Sequence, residues 1–547
     1  MEYKWWENCF VYQIYPKSFK DTTDSGMGDI RGITEKLDYL KWLGIGALWL
    51  CPIYDSPQID NGYDIRDYEK ISTIYGSEKD FEELLREAHE KDIRIIMDLV
   101  VNHTSSEHIW FKKALEDKDS PYRDWYIWRK GKDGKEPNNW SSFFTPSAWA
   151  QDKNSNEWYL HLFAEEQPDL NWENPDLRQN IYSMINNWFD KGVDGFRMDV
   201  ITLIAKDQNM PDAEGIPNSN GYVFGSDYFA IQPKIHEYLQ EMRNKCFAGR
   251  NVMCVGEGTC ASIEEADRLT RNEKELDQIF QFDLLDIDSE GCKWNSVEFS
   301  PSRFKAVLDA QQRTIRWNTL FLGNHDQPRV VSRFGSTASP LLRKASSKLL
   351  ALVEYMAKGT PYLYQGEEIG MANFPFNDQS QLRDIESLNY LASMIIQGRE
   401  AEGWQAILKH GRDNARTPMQ WNAEEGAGFT DGIPWIAINP DHTNWNVEDE
   451  MKDPDSVLNF YRLLIRTKTN SETLTYGDYI PLKIIKETII SYMRIKDNAT
   501  YKVIANMSGD KVDIDLNLNK YEVILNTRNC IEKHSLEAYQ GLLLREV

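Results

Sequence analysis

Four apolar runs in the sequence end in residues that can carry chemistry. "DLVVNH" ends at His103, "GFRMDV" holds Arg197 and Asp199, "VGEG" holds Glu257, and "LGNHDQPR" holds His325 and Asp326. A carboxylate nucleophile and a carboxylic general acid can both be drawn from three carboxylates, two imidazoles and a guanidinium. In "GFRMDV" the spacing itself is informative, because side chains on a strand alternate faces and Arg197 and Asp199 must point the same way. The guanidinium favours the ionised carboxylate, which an attacking or charge-stabilising group needs at neutral pH. A structural ion pair would use the same two residues, since a perturbed carboxylate is only probabilistic evidence of function.

The elements around these residues narrow the choice. "ALWLCPI" (47–53), "RIIMDLVV" (94–101), "VMCVG" (252–256) and "TLFLG" (319–323) are short and apolar throughout, the pattern of strands buried on both faces. Helical stretches separate many of them. In "SEKDFEELLREAHEKD" the apolar Phe81, Leu84, Leu85 and Ala88 fall at helical spacing behind Ser77 and Asp80, a capping-box variant. Ser300 and Pro301 begin another helix, with a cap followed by proline in the first turn. Alternating strands and helices imply a parallel sheet, and the number of repeats suits a (β/α)8 barrel. In that architecture active sites form at the C-terminal ends of the strands, where the four polar endings lie. One strand-end carboxylate could be a helix cap, but three with two histidines and an arginine are harder to explain that way.

The alternation breaks twice. Residues 104–173 are rich in Trp, Asn, Asp and Pro without helical periodicity and read as an inserted subdomain B. Residues 371–453 are too long for a simple connection and read as a functional loop with short helices. From 477 onward "TIISYMRI", "YKVIAN", "KVDIDL" and "YEVILN" read as strands of a small antiparallel domain. The expected division is therefore a catalytic barrel over 1–103 and 174–476, subdomain B over 104–173, and a C-terminal β domain over 477–547.

Composition excludes several classes of function. A chain of 547 residues with 41% apolar content can build a large domain with appendages. A formal charge of −24 repels phosphate backbones and anionic lipid surfaces, which argues against nucleic acid and membrane partners. Seven cysteines, an odd number without a C-x-x-C pair, fit reduced thiols in a cytoplasmic protein, and no segment has the length of a membrane span. Eighteen tryptophans and 26 tyrosines supply core residues first, and also flat faces suited to sugars.

The motifs resemble those of the α-amylase family of glycoside hydrolases, and within it the oligo-1,6-glucosidase, isomaltase-like subgroup. Besides the four strand ends, "DNGYDI" (60–65), "QPDLNWENP" (167–175) and "RDNARTPMQW" (412–421) carry the likeness, which covers essentially the whole chain. The resemblance implies a barrel with a domain inserted after the third strand and a β-sandwich tail. It implies that Asp199 is the nucleophile, Glu257 the general acid/base and Asp326 a transition-state stabiliser. Asp60, Tyr63, His103, Phe163, Gln167, Arg197, His325 and Arg412 become contacts of the terminal glucose. An Asp60–Arg412 ion pair would close the pocket to all but a non-reducing chain end, giving exo-action. Retention of anomeric configuration also follows from the family and requires the two carboxyls about 5 to 5.5 Å apart.

Within the family, Val200 directly after the nucleophile resembles members acting on α-1,6 bonds, whereas threonine or alanine marks α-1,4-glucosidases; strand propensity is the plainer explanation of the valine. Sucrose isomerases carry an Arg-Leu-Asp-Arg-Asp run where this chain has Asp286-Ile287-Asp288-Ser289-Glu290. Trehalose-6-phosphate hydrolases share the catalytic motifs, but Asp286, Asp288 and Glu290 facing the leaving group would repel a phosphate dianion. Gly258, after Glu257, is expected to widen the leaving-group side. Catalytically inactive relatives, the heavy chains of amino-acid transporters, are membrane-anchored, so a binding-only role is set against the three retained carboxylates. Catalysis requires no cofactor. A calcium loop resembling D-x-N-x-D-G-x-G-D would here be "DTTDSGMGD" (21–29), with Asp21 and Asp29 as its remaining ligands and Asp24 as a substitute. The expected partner is a small oligosaccharide, bound by a monomer.

Overall fold

The computed structural model describes residues 3–144, 146–483, 486–516 and 518–547. Eight strands build the central sheet: β1 (Val11–Ile14), β2 (Ala47–Leu50), β3 (Arg94–Val100), β4 (Gly195–Asp199), β5 (Met253–Glu257), β6 (Gln278–Phe280), β7 (Asn318–Leu320) and β8 (Gly359–Tyr364). They pair in parallel in the order β6-β5-β4-β3-β2-β1-β8-β7, which is chain order read round a ring with its seam between β6 and β7. Across the seam the Thr319 hydroxyl donates to the Ile279 carbonyl at 2.9 Å. The ring is a (β/α)8 barrel.

Local sequence sets the outer helices. Helix Glu78–Glu90 is capped by Ser77, whose hydroxyl accepts from the Asp80 amide while the Asp80 carboxylate accepts from the Ser77 amide at 2.7 Å. Its buried face is Phe81, Leu84, Leu85 and Ala88, and full burial of such a leucine or phenylalanine stabilises by roughly 1.5–3 kcal/mol. Helix Pro301–Thr314 starts at the Ser300 cap with proline in its first turn. Helices Leu37–Leu43, Pro175–Asp190, Ile235–Met242, Ile263–Thr270, Pro340–Tyr355 and Val457–Thr469 complete the shell.

Residues between β3 and helix Pro175–Asp190 include a three-stranded antiparallel sheet of Trp128–Lys130, Glu157–Leu160 and Trp149–Gln151. Beyond the barrel, five antiparallel strands run in the order Asp478–Pro481, Ile489–Lys496, Ala499–Asn506, Gly541–Glu546 and Tyr521–Asn526. Strand alternation divides this sheet's two faces. Ile490, Tyr492, Val503, Ala505 and Leu543 join the main core, while Ile489, Ile504, Leu542 and Leu544 meet Ile514 and Leu536 around the Val512–Asp513/Ser535–Leu536 ribbon.

All seven cysteines are free thiols, four of them buried. Among the described residues no helix is long and apolar enough to cross a membrane.

Candidate active site

Alternation along the barrel strands stacks apolar side chains below polar ones. Val11, Ala47, Trp49, Ile96, Met253, Val255, Phe280 and Tyr362 form a cluster inside the barrel. Two residues further along their strands, Val11 gives way to Gln13, Ile96 to Asp98 and Val255 to Glu257, and on β4 Gly195 leads to Arg197 and Asp199. The polar layer therefore collects at the C-terminal ends. Register completes it: Arg197 on β4 pairs with Asp98 on β3 and with Val255 on β5, just before Glu257.

One guanidinium holds three carboxylates. Arg197 Nη1 donates to Asp98 Oδ1 and Asp199 Oδ1, both at 2.8 Å, and Nη2 lies 2.8 Å from Glu257 Oε2. The Val200 amide donates to that same Glu257 oxygen at 2.8 Å. It does so from a left-handed backbone, with φ of 33°, a conformation that a β-branched residue rarely adopts and that marks stored strain at functional sites. Asp98, which the sequence reading did not single out, also accepts from Trp49 Nε1 at 3.1 Å and the Tyr63 hydroxyl at 3.0 Å. Burial lifts the Asp98 carboxyl to about 6 and the Asp199 carboxyl well above the ordinary range, with Arg197 opposing the shift in each case. With one cation between them, burial outweighs the guanidinium at both Asp98 and Asp199, and both carboxyls shift upward.

A second cluster has two guanidinium groups. Arg412 Nη2 donates to Asp60 Oδ1 at 3.1 Å and to Asp384 Oδ1 at 2.5 Å, and its Nη1 donates to Asp326 Oδ1 at 3.3 Å. Arg416, fully buried, donates to the same Asp326 oxygen at 2.7 Å and to the His325 carbonyl at 3.1 Å. Asp384 also caps helix Ile385–Ile396, accepting from the Glu386 and Ser387 amides. Burial alone would raise Asp326 and Asp384, but the surrounding positive groups, Arg412 and Arg416 foremost for Asp384, hold both well below the usual carboxylate range. Asp60 stays raised at about 6, because its burial outweighs Arg412 and Arg416.

Between the clusters lies a pocket of about 290 Å³. Its walls include Asp60, Tyr63, His103, Phe163, Asp199, Val200, Glu257, Asp326 and Arg412, so nine of the twelve expected catalytic and binding residues meet in one cavity. The other three, Gln167, Arg197 and His325, are almost fully buried behind its wall. Gln167 Nε2 donates to Asp60 Oδ2 at 3.2 Å and sits 3.2 Å from His103 Nε2. His325 stacks on Tyr63 with ring centroids 5.1 Å apart, and its Nδ1 is 2.8 Å from Gln13 Nε2. His325 Nε2 makes no hydrogen bond among the described residues, but it lies 3.3 Å from Asp326 Oδ2 at the pocket's edge. Burial holds His103 at about 4 and His325 at about 3, so both imidazoles are neutral at pH 7.

Several lining residues had not been singled out. Phe143 and Phe144, from the insertion, pack on Phe163 at 5.0 and 5.4 Å between centroids, and Arg412 lies over the Phe144 ring at 4.8 Å. The "SSFF" stretch is the visible signal for them. Glu386 and Lys293 line the opening and pair with each other.

Three expectations change, two of them about the leaving-group side. Asp288 is buried and ion-paired to Arg333 at 2.6 Å, and Glu290 lies in a neighbouring cleft; only Asp286 of the three acids lines the pocket, together with the cationic Lys293. Repulsion of phosphate by three acids is therefore not the right argument. Gly258 does not widen the pocket: a Cβ there would stand 2.6 Å from the Phe280 carbonyl oxygen, so glycine is required by close packing against β6. In the 21–29 loop, Asp21 accepts from the Thr23 and Gly26 amides and the Thr430 hydroxyl, and Asp29 accepts from the Thr22 and Gly32 amides. Donors, not a cation, satisfy these carboxylates, and among the described residues no group of three His, Cys, Asp or Glu converges on a metal-sized site. The loop does not fit calcium.

The arrangement can hold a polar ligand between a carboxyl cluster built on one guanidinium and a second built on two. Comparison with known proteins agrees in kind. The alpha-amylase model (alpha amylase, catalytic domain) matches residues 13–477. An oligo-1,6-glucosidase of Bacillus cereus is 45% identical over 560 residues, spanning 100% of both chains. A trehalose-6-phosphate hydrolase of Bacillus subtilis (strain 168) is 44% identical, covering 99% of this chain and 98% of its own. Among solved structures, the isomaltulose synthase of Klebsiella sp. LX3 superposes with a TM-score of 0.95 at 40% identity, covering 100% of each chain.

Proposed function

Because the chain belongs to the alpha-amylase family of glycoside hydrolases, we propose that it is an exo-acting, retaining α-glucosidase that releases glucose from the non-reducing ends of isomaltose and short isomalto-oligosaccharides. The observation that carries the proposal is the single guanidinium spanning Asp199 and Glu257 through adjacent nitrogens, 2.8 Å from each. That juxtaposition suits the roughly 5–5.5 Å separation of a retaining pair better than the roughly 6.5–9.5 Å of an inverting one.

In the first step Asp199 attacks the anomeric carbon as a carboxylate while Glu257 gives its proton to the leaving oxygen. Neither Glu257 oxygen needs to move far, because the Val200 amide and Arg197 fix Oε2 and Oε1 has no donor among the described residues. Water then attacks the glycosyl-enzyme, and Glu257 takes its proton. Asp326, kept ionised beside two arginines, stabilises positive charge on the sugar in the transition state. Asp60 and Arg412 close the far end of the pocket, which supports exo-action.

Three oligo-1,6-glucosidases at 45–47% identity support the α-1,6 preference, and Val200 lines the pocket where it would narrow the space for the leaving sugar. The unpaired cysteines support a cytoplasmic enzyme. Glucose release from isomaltose, maltose, sucrose and trehalose-6-phosphate, measured side by side at neutral pH, tests the assignment. Fast isomaltose and slow maltose turnover is the expected result. Preference for maltose or for the phosphate would overturn the linkage assignment, and rearrangement of sucrose would place the enzyme with the isomerases.

A further inference from the structure

We propose that Lys17 is a positioning residue: it holds the turn that presents Asp60 to the sugar, without lining the pocket itself. The inference rests on the glucosidase reading and adds a residue to its binding machinery.

Residues 58–62 form a turn under backbone strain. Gln58 and Asn61 take left-handed conformations, with φ of 69° and 50°, and Gly62 follows with φ of 111°. Outside glycine such conformations cost free energy and persist only where the surroundings over-determine them. Two sets of contacts do so here. The buried Asp64 carboxylate accepts from the Ile59 amide at 2.9 Å, the Asp60 amide at 3.1 Å and the Ser56 hydroxyl at 3.0 Å. Lys17, just after β1, supplies the second set. Its ammonium donates to Asn61 Oδ1 at 3.1 Å and to Gln58 Oε1 at 3.4 Å, so it reaches both left-handed residues that are not glycine. The same nitrogen lies 4.3 Å from the centre of the Trp435 ring. Trp435 is fixed in turn, its Nε1 donating to the Ser18 hydroxyl and its carbonyl accepting from Arg383, each at 3.0 Å.

Lys17 is only 8% exposed, yet among the described residues its ammonium meets two amide oxygens and an indole face rather than a carboxylate. A buried charge held by neutral groups alone is costly, and here it is spent on the turn. The charged groups facing it are Asp64 on the turn, Asp413 and Arg416 on helix Asp413–Arg416, and Arg383 ahead of helix Ile385–Ile396. Burial and then Arg416 lower the amine, Asp64 and Asp413 oppose them, and it comes to about 8. Lys17 is therefore a cation at neutral pH and loses its charge as pH rises through that value. The neutral amine donates more weakly than the ammonium, so the turn loosens on the alkaline side.

Asp60 registers the change. Its carboxylate meets Arg412 Nη2 at 3.1 Å and Gln167 Nε2 at 3.2 Å at the closed end of the pocket, and a shift of about 1 Å would lose both contacts. Neither Lys17 nor the two amides it holds lines the cavity, so the effect reaches the sugar only through Asp60.

Glucose, as a competitive inhibitor of isomaltose hydrolysis by the purified full chain, reads this grip without proton transfer to a leaving group. The unaltered enzyme should lose about threefold or more in glucose affinity between pH 7 and about 9. Lys17→Met, similar in length and uncharged, should raise the KM for isomaltose about tenfold with kcat changed less than about threefold, and its glucose constant should be high and independent of pH over that range. Lys17→Arg, charged throughout, should recover most of the KM and show no alkaline loss. An unaltered KM in Lys17→Met, a glucose constant flat with pH in the unaltered enzyme, or an alkaline loss that survives in Lys17→Met overturns the proposal. Absence of isomaltose turnover by the unaltered enzyme at pH 7 would instead remove the glucosidase reading beneath it.

Discussion

The Arg197 and Arg412–Arg416 clusters are made from the same residue types and behave in opposite ways. Around Arg197, one cation meets Asp98, Asp199 and Glu257, and burial wins: Asp98 and Asp199 are both pushed up. Around Arg412 and Arg416, two cations meet Asp326 and Asp384, and charge wins: both carboxyls are held down. Asp60 shows the rule within one cluster. Arg412 touches it only once, at 3.1 Å, and its carboxyl stays at about 6. Charge count, not burial, therefore separates carboxyls that are pushed up from carboxyls that are held down.

The largest effect that would break this division comes from Asp199→Asn. Turnover should fall by about four orders of magnitude or more, with circular dichroism unchanged; near-normal hydrolysis would remove Asp199 from its role. Next comes Arg412→Ala, which leaves Asp384 and Asp60 without a main partner. Truncating one side of a buried ion pair costs about 3–5 kcal/mol, so the melting temperature should drop clearly and kcat/KM should fall about a hundredfold, with Arg412→Lys a poor rescue because it lacks the fork. Unchanged stability would show that the second cluster is not a charge framework.

A pH profile sharpens the contrast. Groups whose pKa is raised lose their charge on the acid side, so an ionised Asp199 and Asp60 are available above the shifted values and lost as pH falls through them. Asp60 and Asp98, both at about 6, place an acid limb of kcat/KM near pH 6, and the upward shift of Asp199 acts in the same direction, while Asp326, held down, contributes nothing to it. A limb near pH 4 would mean ordinary carboxylates. Smallest is Val200→Thr, similar in shape but polar: the isomaltose-to-maltose ratio of kcat/KM should shift towards maltose by less than about tenfold.

Much of this was legible in the sequence, and the gaps have physical causes. β2, β3, β5 and β7 announce themselves as short apolar runs. β6 has three residues, too few for periodicity, and β8 contains Pro361, which argues against a central strand. The Arg197–Asp199 pairing is readable because both residues lie on one strand. Asp98 was readable in principle, as the lone acid in "RIIMDLVV", but its pairing depends on strand register. Asp384 gave no such sign: it lies in an irregular region, and only the folded chain brings it to Arg412. The misreading of Asp288 has the same origin, since Arg333, 45 residues away, neutralises it.

The anomeric configuration of the first glucose released from isomaltose, followed by proton NMR before mutarotation, tests the central claim most directly. Asp199 and Glu257 sharing one guanidinium as nucleophile and acid/base predict α-glucose. Initial release of β-glucose would show a water between the carboxyls and an inverting enzyme, contradicting the account.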